Sequence, residues 1–143
     1  GDGAELDALK KLAQKLDLSP QVAFHGFLSK KELEQLYQIT DLAVLTSFSE
    51  SFPLVLLEAS DNLVPILSTD VGDIKMMIPD FEHGFIAKIG NVESIANAIE
   101  EAVNKPKKEL EQIAVNEKRY LESHFSIKNQ LQSIEKVYNL IIK

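Results

Sequence analysis

The segment Glu50-Ser-Phe-Pro-Leu-Val-Leu-Leu-Glu58 sets two carboxylates on either side of a proline and an apolar run. Six of the seven residues from Pro53 to Ala59 are apolar, the composition of a helix surrounded by protein. Pro53 suits the first helical position, because its fixed φ is already helical there. The end of such a helix leaves the N–H groups of Phe52, Leu54 and Val55 without helical partners and favours an anion, typically a phosphate. Glu50 lies just before that end, where a carboxylate competes with phosphate unless it points elsewhere. Glu58 is either partly buried or aimed into a cleft, and a buried carboxylate needs hydrogen-bond partners. The residues alone leave two arrangements open. In one, phosphate sits on the amides and both carboxylates accept hydrogen bonds from neutral hydroxyls, such as those of sugars and riboses. In the other, Glu58 is a solvated helix residue and Glu50 a loop acid favoured by the helix dipole.

The elements that position this segment alternate between strand and helix. Leu6, Leu9, Ala13 and Leu16 recur at helical spacing, which predicts an amphipathic helix over 4–17. Val22-Ala23-Phe24, between Pro20 and Gly26, reads as a short strand. Ser29-Lys-Lys-Glu32 has the form of a capping box before a helix carrying Leu33, Leu36 and Tyr37. Leu42 to Leu45 is a continuous apolar run, as in a strand buried on both faces. Residues 65–68 and 85–87 read as further strands, and Asn91 as the cap of a helix over 92–103. From Pro106 onward there are no strand signals. One helix follows, with Leu110, Ile113, Ala114, Leu121, His124 and Phe125 near one stripe. A last helix, capped by Ser126, has Ile127, Leu131, Ile134, Tyr138 and Ile141 on its apolar face. Both are expected to pack over the core. The alternation implies a parallel sheet with right-handed crossovers, an α/β fold. Ligands of such sheets bind beyond the carboxyl ends of the strands. That places Thr46–Pro53 and His25-Gly26-Phe27-Leu28-Ser29 where a ligand would sit.

Composition narrows the class. The chain has 143 residues, a length suited to one domain, and a formal charge of −7 from 15 basic and 22 acidic residues. That balance argues against nucleic acid or an anionic membrane as a general partner. With no cysteine there is no disulfide, thiol nucleophile or thiolate-bound metal. The acids and three histidines lack metal-ligand spacing. No apolar run approaches a bilayer span, so a soluble, cytoplasmic domain is expected.

Several segments together resemble the group 1, GT4-like, retaining glycosyltransferases of the GT-B fold. The Glu50-x7-Glu58 spacing occurs in order with Gly1-Asp-Gly3, Val22-Ala-Phe-His-Gly26, Leu33 to Asp41, Pro65-Ile-Leu-Ser-Thr-Asp-Val-Gly72, His83-Gly-Phe-Ile-Ala87 and the helix Val92–Val103. The resemblance implies the C-terminal, Rossmann-like half of a GT-B enzyme, a single domain over 1–143 that binds a nucleotide sugar. The whole enzyme would transfer a hexose from a UDP- or GDP-sugar, with retention, in polysaccharide or other glycan synthesis, without a metal or other cofactor. Glu50, the catalytic candidate, would hold hydroxyls of the transferred sugar, and Glu58 the ribose. Amides within Ser51, Phe52, Leu54 and Val55 would meet the diphosphate or sugar, and His25, Gly26, Phe27 and Leu28 would flank the base.

The resemblance also implies that the acceptor-binding N-terminal domain and the first two strands of this domain are not in the chain, and that this half alone is inactive. The basic pair that clamps the diphosphate in the family would likewise precede Gly1. Leu63 stands where a glycine is common, Asp73 replaces the second glycine after Val71, and Met76 falls where an acid is frequent. These departures also fit an alternative, a non-catalytic binding or assembly module derived from the GT-B fold. His83-Gly84 reads as a turn, His124 as a packed histidine, and Met76-Met77 as core filler.

Overall fold

The computed structural model describes residues 2–141; Gly1 of the Gly-Asp-Gly segment lies outside them. Contacts divide the chain into two compact units, residues 1–39 and 40–143.

The first unit carries α1 (Leu6–Lys15) and α2 (Lys30–Tyr37). Only Ala13 of α1 is buried. The expected capping box at α2 is present. Ser29 Oγ accepts the Glu32 N–H at 3.4 Å, and Glu32 Oε2 accepts the Ser29 N–H at 2.8 Å. Ser29 Oγ also donates to Glu32 Oε2 at 2.5 Å, and that bond, with the one from the Ser29 N–H, holds the Glu32 carboxyl below its usual range. Val22–Phe24, expected as a strand, is not in a sheet. A three-residue strand gains its stability from ladder bonds to a neighbour, and among the described residues none pairs with it.

The second unit holds the sheet. Strands β1 (Ala43–Leu45), β2 (Ile66–Thr69) and β3 (Phe85–Ala87) are parallel in the order β1-β2-β3. Ala43 aligns with Ile66, and Leu67 with Phe85. All four residues of β2 are buried, as befits a central strand covered on both faces. Helix α3 (Leu54–Asp61) crosses from β1 to β2, and α4 (Ile74–Met77) from β2 to β3. Then come α5 (Val92–Asn104), α6 (Lys107–Phe125) and α7 (Ile127–Ile141). Asn91 caps α5 as expected, its Oδ1 accepting the Ser94 N–H at 2.8 Å.

Leu67, Phe85, Ala87, Ala102 and Ile113 form a core cluster, with Ile95, Ile99 and Leu110 packed around it. Helix α6 lies against α3 and buries Ile113, Ala114, Glu117 and Leu121. Glu117 is fully buried and both its carboxylate oxygens lack a hydrogen-bond partner. Helix α7 departs from expectation: it buries no residue, and Ile127, Leu131, Ile134, Tyr138 and Ile141 are all exposed. Within this unit, no element covers that face among the described residues.

The end of α3 explains one departure from the family pattern. Leu63 adopts φ +56°. Its N–H donates to Ser60 O at 2.9 Å, and the Val64 N–H to Ala59 O at 3.0 Å. This is a Schellman C-cap, whose left-handed position favours glycine because a Cβ is strained there.

Candidate functional site

Six of the candidate residues come together at the carboxyl end of β1. Glu50, Ser51 and Phe52 lie in the loop after that strand, while Leu54, Val55 and Glu58 are the first, second and fifth residues of α3. Pro53 is the N-cap rather than the first helical residue, with ψ 111° in the extended range. The residue still contributes its fixed φ, and the helix begins one position later. No side chain caps this end, so the N–H groups of Leu54 and Val55 remain outside the helical ladder.

The helix is not surrounded by protein, as its composition predicts. Leu54 is 65% exposed and Val55 39% exposed, and Glu58, one turn on from Leu54, is exposed too. Only Leu56, Ala59 and Ser60 are buried. Thus α3 leaves the apolar side chains of Leu54 and Val55 and the Glu58 carboxylate open. Helical spacing puts Leu54 and Glu58 in one row, so the Glu58 carboxylate and the helix N-terminus share a surface.

The loop before α3 is held in place by groups whose role the sequence does not announce. Thr69, fully buried at the end of β2, donates from Oγ1 to Ser47 O at 2.6 Å. Ser47 Oγ in turn donates to Glu50 Oε1 at 2.7 Å. The carboxylate that could meet hydroxyls is therefore oriented by a hydroxyl of its own loop. Gly72, at φ +52°, approaches the same loop so closely that a Cβ on it would lie 1.9 Å from Glu50 O. Only glycine fits there. The three-residue spacing of Ser47 and Glu50 was visible in the sequence. The contacts of Thr69 and Gly72 span more than twenty residues and required the fold.

The other candidates scatter. His25, Gly26, Phe27 and Leu28 belong to the first unit, where Gly26 has φ +64° and Phe27 is exposed. A Cβ on Gly26 would lie 2.9 Å from Asp2 Oδ1, so this loop and the Asp2 segment are neighbours. Asp73 precedes α4 without capping it, and the nearby cation Lys75 pairs with Asp70 at 2.6 Å. The methionines divide, Met77 fully buried and Met76 exposed. His83 sits in a turn, its Nδ1 2.7 Å from Asp80 Oδ1, an interaction that lowers the Asp80 pKa. His124 is not a packed core histidine: it is exposed and stacks on Tyr120, with ring centroids 4.1 Å apart. Among the described residues, no group of His, Asp and Glu side chains is placed to hold a metal ion.

Comparison with known proteins decides what this arrangement belongs to. The family described as glycosyl transferases group 1 matches residues 1–120. The chain belongs to that family. It is 35% identical over 106 residues, 74% of its length, to the putative glycosyltransferase EpsD of Bacillus subtilis, of which those residues cover 27%. Among solved structures, sucrose-phosphate synthase from Thermosynechococcus elongatus aligns over 99% of this chain and 35% of that one. The TM-score is 0.84 and the identity 22%, so this match shows the fold. Anabaena HepE, solved in complex with UDP, aligns over 94% of this chain and 38% of that one, with TM-score 0.80 and 25% identity. The architecture is therefore that of the Rossmann-like C-terminal half of GT-B glycosyltransferases, and the chain spans about a quarter to two-fifths of the proteins just named. No described helix is long and apolar enough to cross a membrane.

Proposed function

We propose that this chain is the donor-binding domain of a larger glycosyltransferase that takes a UDP- or GDP-hexose and transfers the hexose with retention at the anomeric carbon. The observation that carries the reading is the pairing of two carboxylates with an uncapped helix N-terminus: Glu50, held by Ser47, before it, and Glu58 one turn inside it. In this reading the N–H groups of Ser51, Phe52, Leu54 and Val55 bind the diphosphate and stabilise the charge that develops on it as the bond to the sugar breaks. Glu58 accepts from the ribose hydroxyls and Glu50 from the hexose, so donor position rather than covalent chemistry is the main contribution of this half. The HepE structures, one with UDP and another with UDP and glucose, support a nucleotide sugar as the ligand class.

Because the acceptor half lies elsewhere in such enzymes, the domain alone binds donor without turnover. Titration of the protein with UDP, GDP and their hexose conjugates tests the reading. Saturable binding of one nucleotide series is expected. Failure of every nucleotide to bind would remove the donor site and leave a GT-B fold used for something else.

A further inference from the structure

The loop from Thr46 to Phe52 is irregular, yet its first half is fixed by Thr69 on Ser47 and by Gly72 beneath Glu50. The Gly72 contact extends to Ser51, but neither contact reaches Phe52, which leads into α3. There a different device is present. The Phe52 ring packs on Phe125, the last residue of α6, with centroids 5.4 Å apart and planes tilted by 53°. Phe125 is backed by Tyr120 edge-on at 6.5 Å, and Tyr120 in turn stacks on His124 and meets His83 at 5.1 Å. These are favoured aromatic geometries.

The cluster is not simply a part of the core. The buried stripe of α6 runs through Ile113, Ala114, Glu117 and Leu121. Phe125 and Tyr120 are half-buried, Phe52 and His124 exposed, and none of them joins the cluster around Leu67. Burial alone therefore does not explain why aromatic rings gather here. Their geometry does something more specific. Phe52 immediately precedes the N-cap of α3, so fixing its ring fixes the backbone direction at the helix entrance, where the free N–H groups lie.

We propose that Phe125 is a positioning residue for the donor: by holding Phe52 it keeps the amides from Ser51 to Val55 aimed at the diphosphate. This inference rests on the donor-site reading above. The sugar nucleotide meets a backbone already set at three points, Thr69, Gly72 and Phe125, and less ordering is left for binding to accomplish.

The test is a double-mutant cycle in the intact protein, with affinity for UDP and UDP-glucose and unliganded melting temperature as readouts. Phe125→Ala should weaken nucleotide binding about three- to tenfold while Phe125→Tyr restores it. Phe52→Ala should weaken it by a similar factor, and the double variant should bind no worse than the weaker single variant, because both remove one contact. Should Phe125→Ala fail to fold, Phe125→Leu takes its place: it keeps an apolar side chain, and the same loss at an unchanged melting temperature is expected. Independent, multiplicative losses, or wild-type affinity in Phe125→Ala beside a loss in Glu58→Ala, would overturn the positioning role and leave the donor site standing. Wild-type affinity in Glu58→Ala itself would remove the ribose contact on which the site rests, and the positioning role with it.

Discussion

Glu117 makes the stability of this fold depend on pH in a direction opposite to most carboxylates. It sits on α6 in the stripe that packs against α3, one turn from both Ala114 and Leu121. The residue is fully buried and neither oxygen has a partner. Burial, which disfavours the charged form, pushes its pKa from 4.5 up to about 9. The folded state therefore keeps the proton at neutral pH, while the unfolded chain releases it. The stabilisation relative to an ionised side chain is complete below about pH 4.5 and is lost as pH rises towards 9. The slope is about 1.4 kcal/mol per pH unit, so between about pH 5 and about pH 8 this one group removes about 4 kcal/mol. That is a large share of the roughly 5–15 kcal/mol by which domains are stable. Glu117→Gln keeps the shape and removes the titration. Urea unfolding followed by circular dichroism should show the two proteins converging near pH 5, with the variant several kcal/mol more stable near pH 8. Glu117→Met, which also removes the unpartnered polar atoms, should gain a further 1–3 kcal/mol or so. Parallel pH profiles for wild type and Glu117→Gln would refute the argument, because they would mean that the carboxylate finds water or a partner.

Other expectations follow from single contacts. Leu63→Gly removes a Cβ from a left-handed position and should stabilise the chain by about 1 kcal/mol in the same unfolding assay. Gly72→Ala drives a Cβ into the Glu50 carbonyl; the loop must move, so both melting temperature and donor affinity should fall. Ser29→Ala breaks the capping box of α2 and should cost about 1 kcal/mol, read as a lower urea midpoint.

Much of the architecture was legible because local rules act alone there. The Ser29–Glu32 box, the Asn91 cap, the apolar run Leu42–Leu45 and the short strand signals at 65–68 and 85–87 each specify their element to within a residue or so of where it lies. The readings that failed depended on neighbours. Val22–Phe24 has strand composition but no pairing partner among the described residues, and α7 has an apolar stripe that nothing in its unit covers. Composition records that such faces are to be buried, and not by what. The same limit applied to α3, whose apolar run suggested complete burial although one side is open. At the candidate site, the two carboxylates and the helix entrance could be found by spacing. The supports could not: Thr69 on Ser47, Gly72 under Glu50 and Phe125 on Phe52 join residues distant in the chain. Glu117 carries no signal of its burial in the sequence, since an acid within a charged, amphipathic helix reads as solvated until packing shows otherwise.

In the proposed donor site Glu50 and Glu58 divide the donor between them, Glu58 taking the ribose and Glu50 the hexose. Calorimetric titration of UDP and UDP-glucose into the wild type, Glu58→Ala and Glu50→Ala tests it most directly. Glu58→Ala should weaken both ligands alike, by about 1–3 kcal/mol for a lost charge-assisted hydrogen bond. Glu50→Ala should leave UDP unchanged and weaken UDP-glucose alone. Equal effects of Glu50→Ala on the two ligands, or none of Glu58→Ala on either, would contradict the assignment.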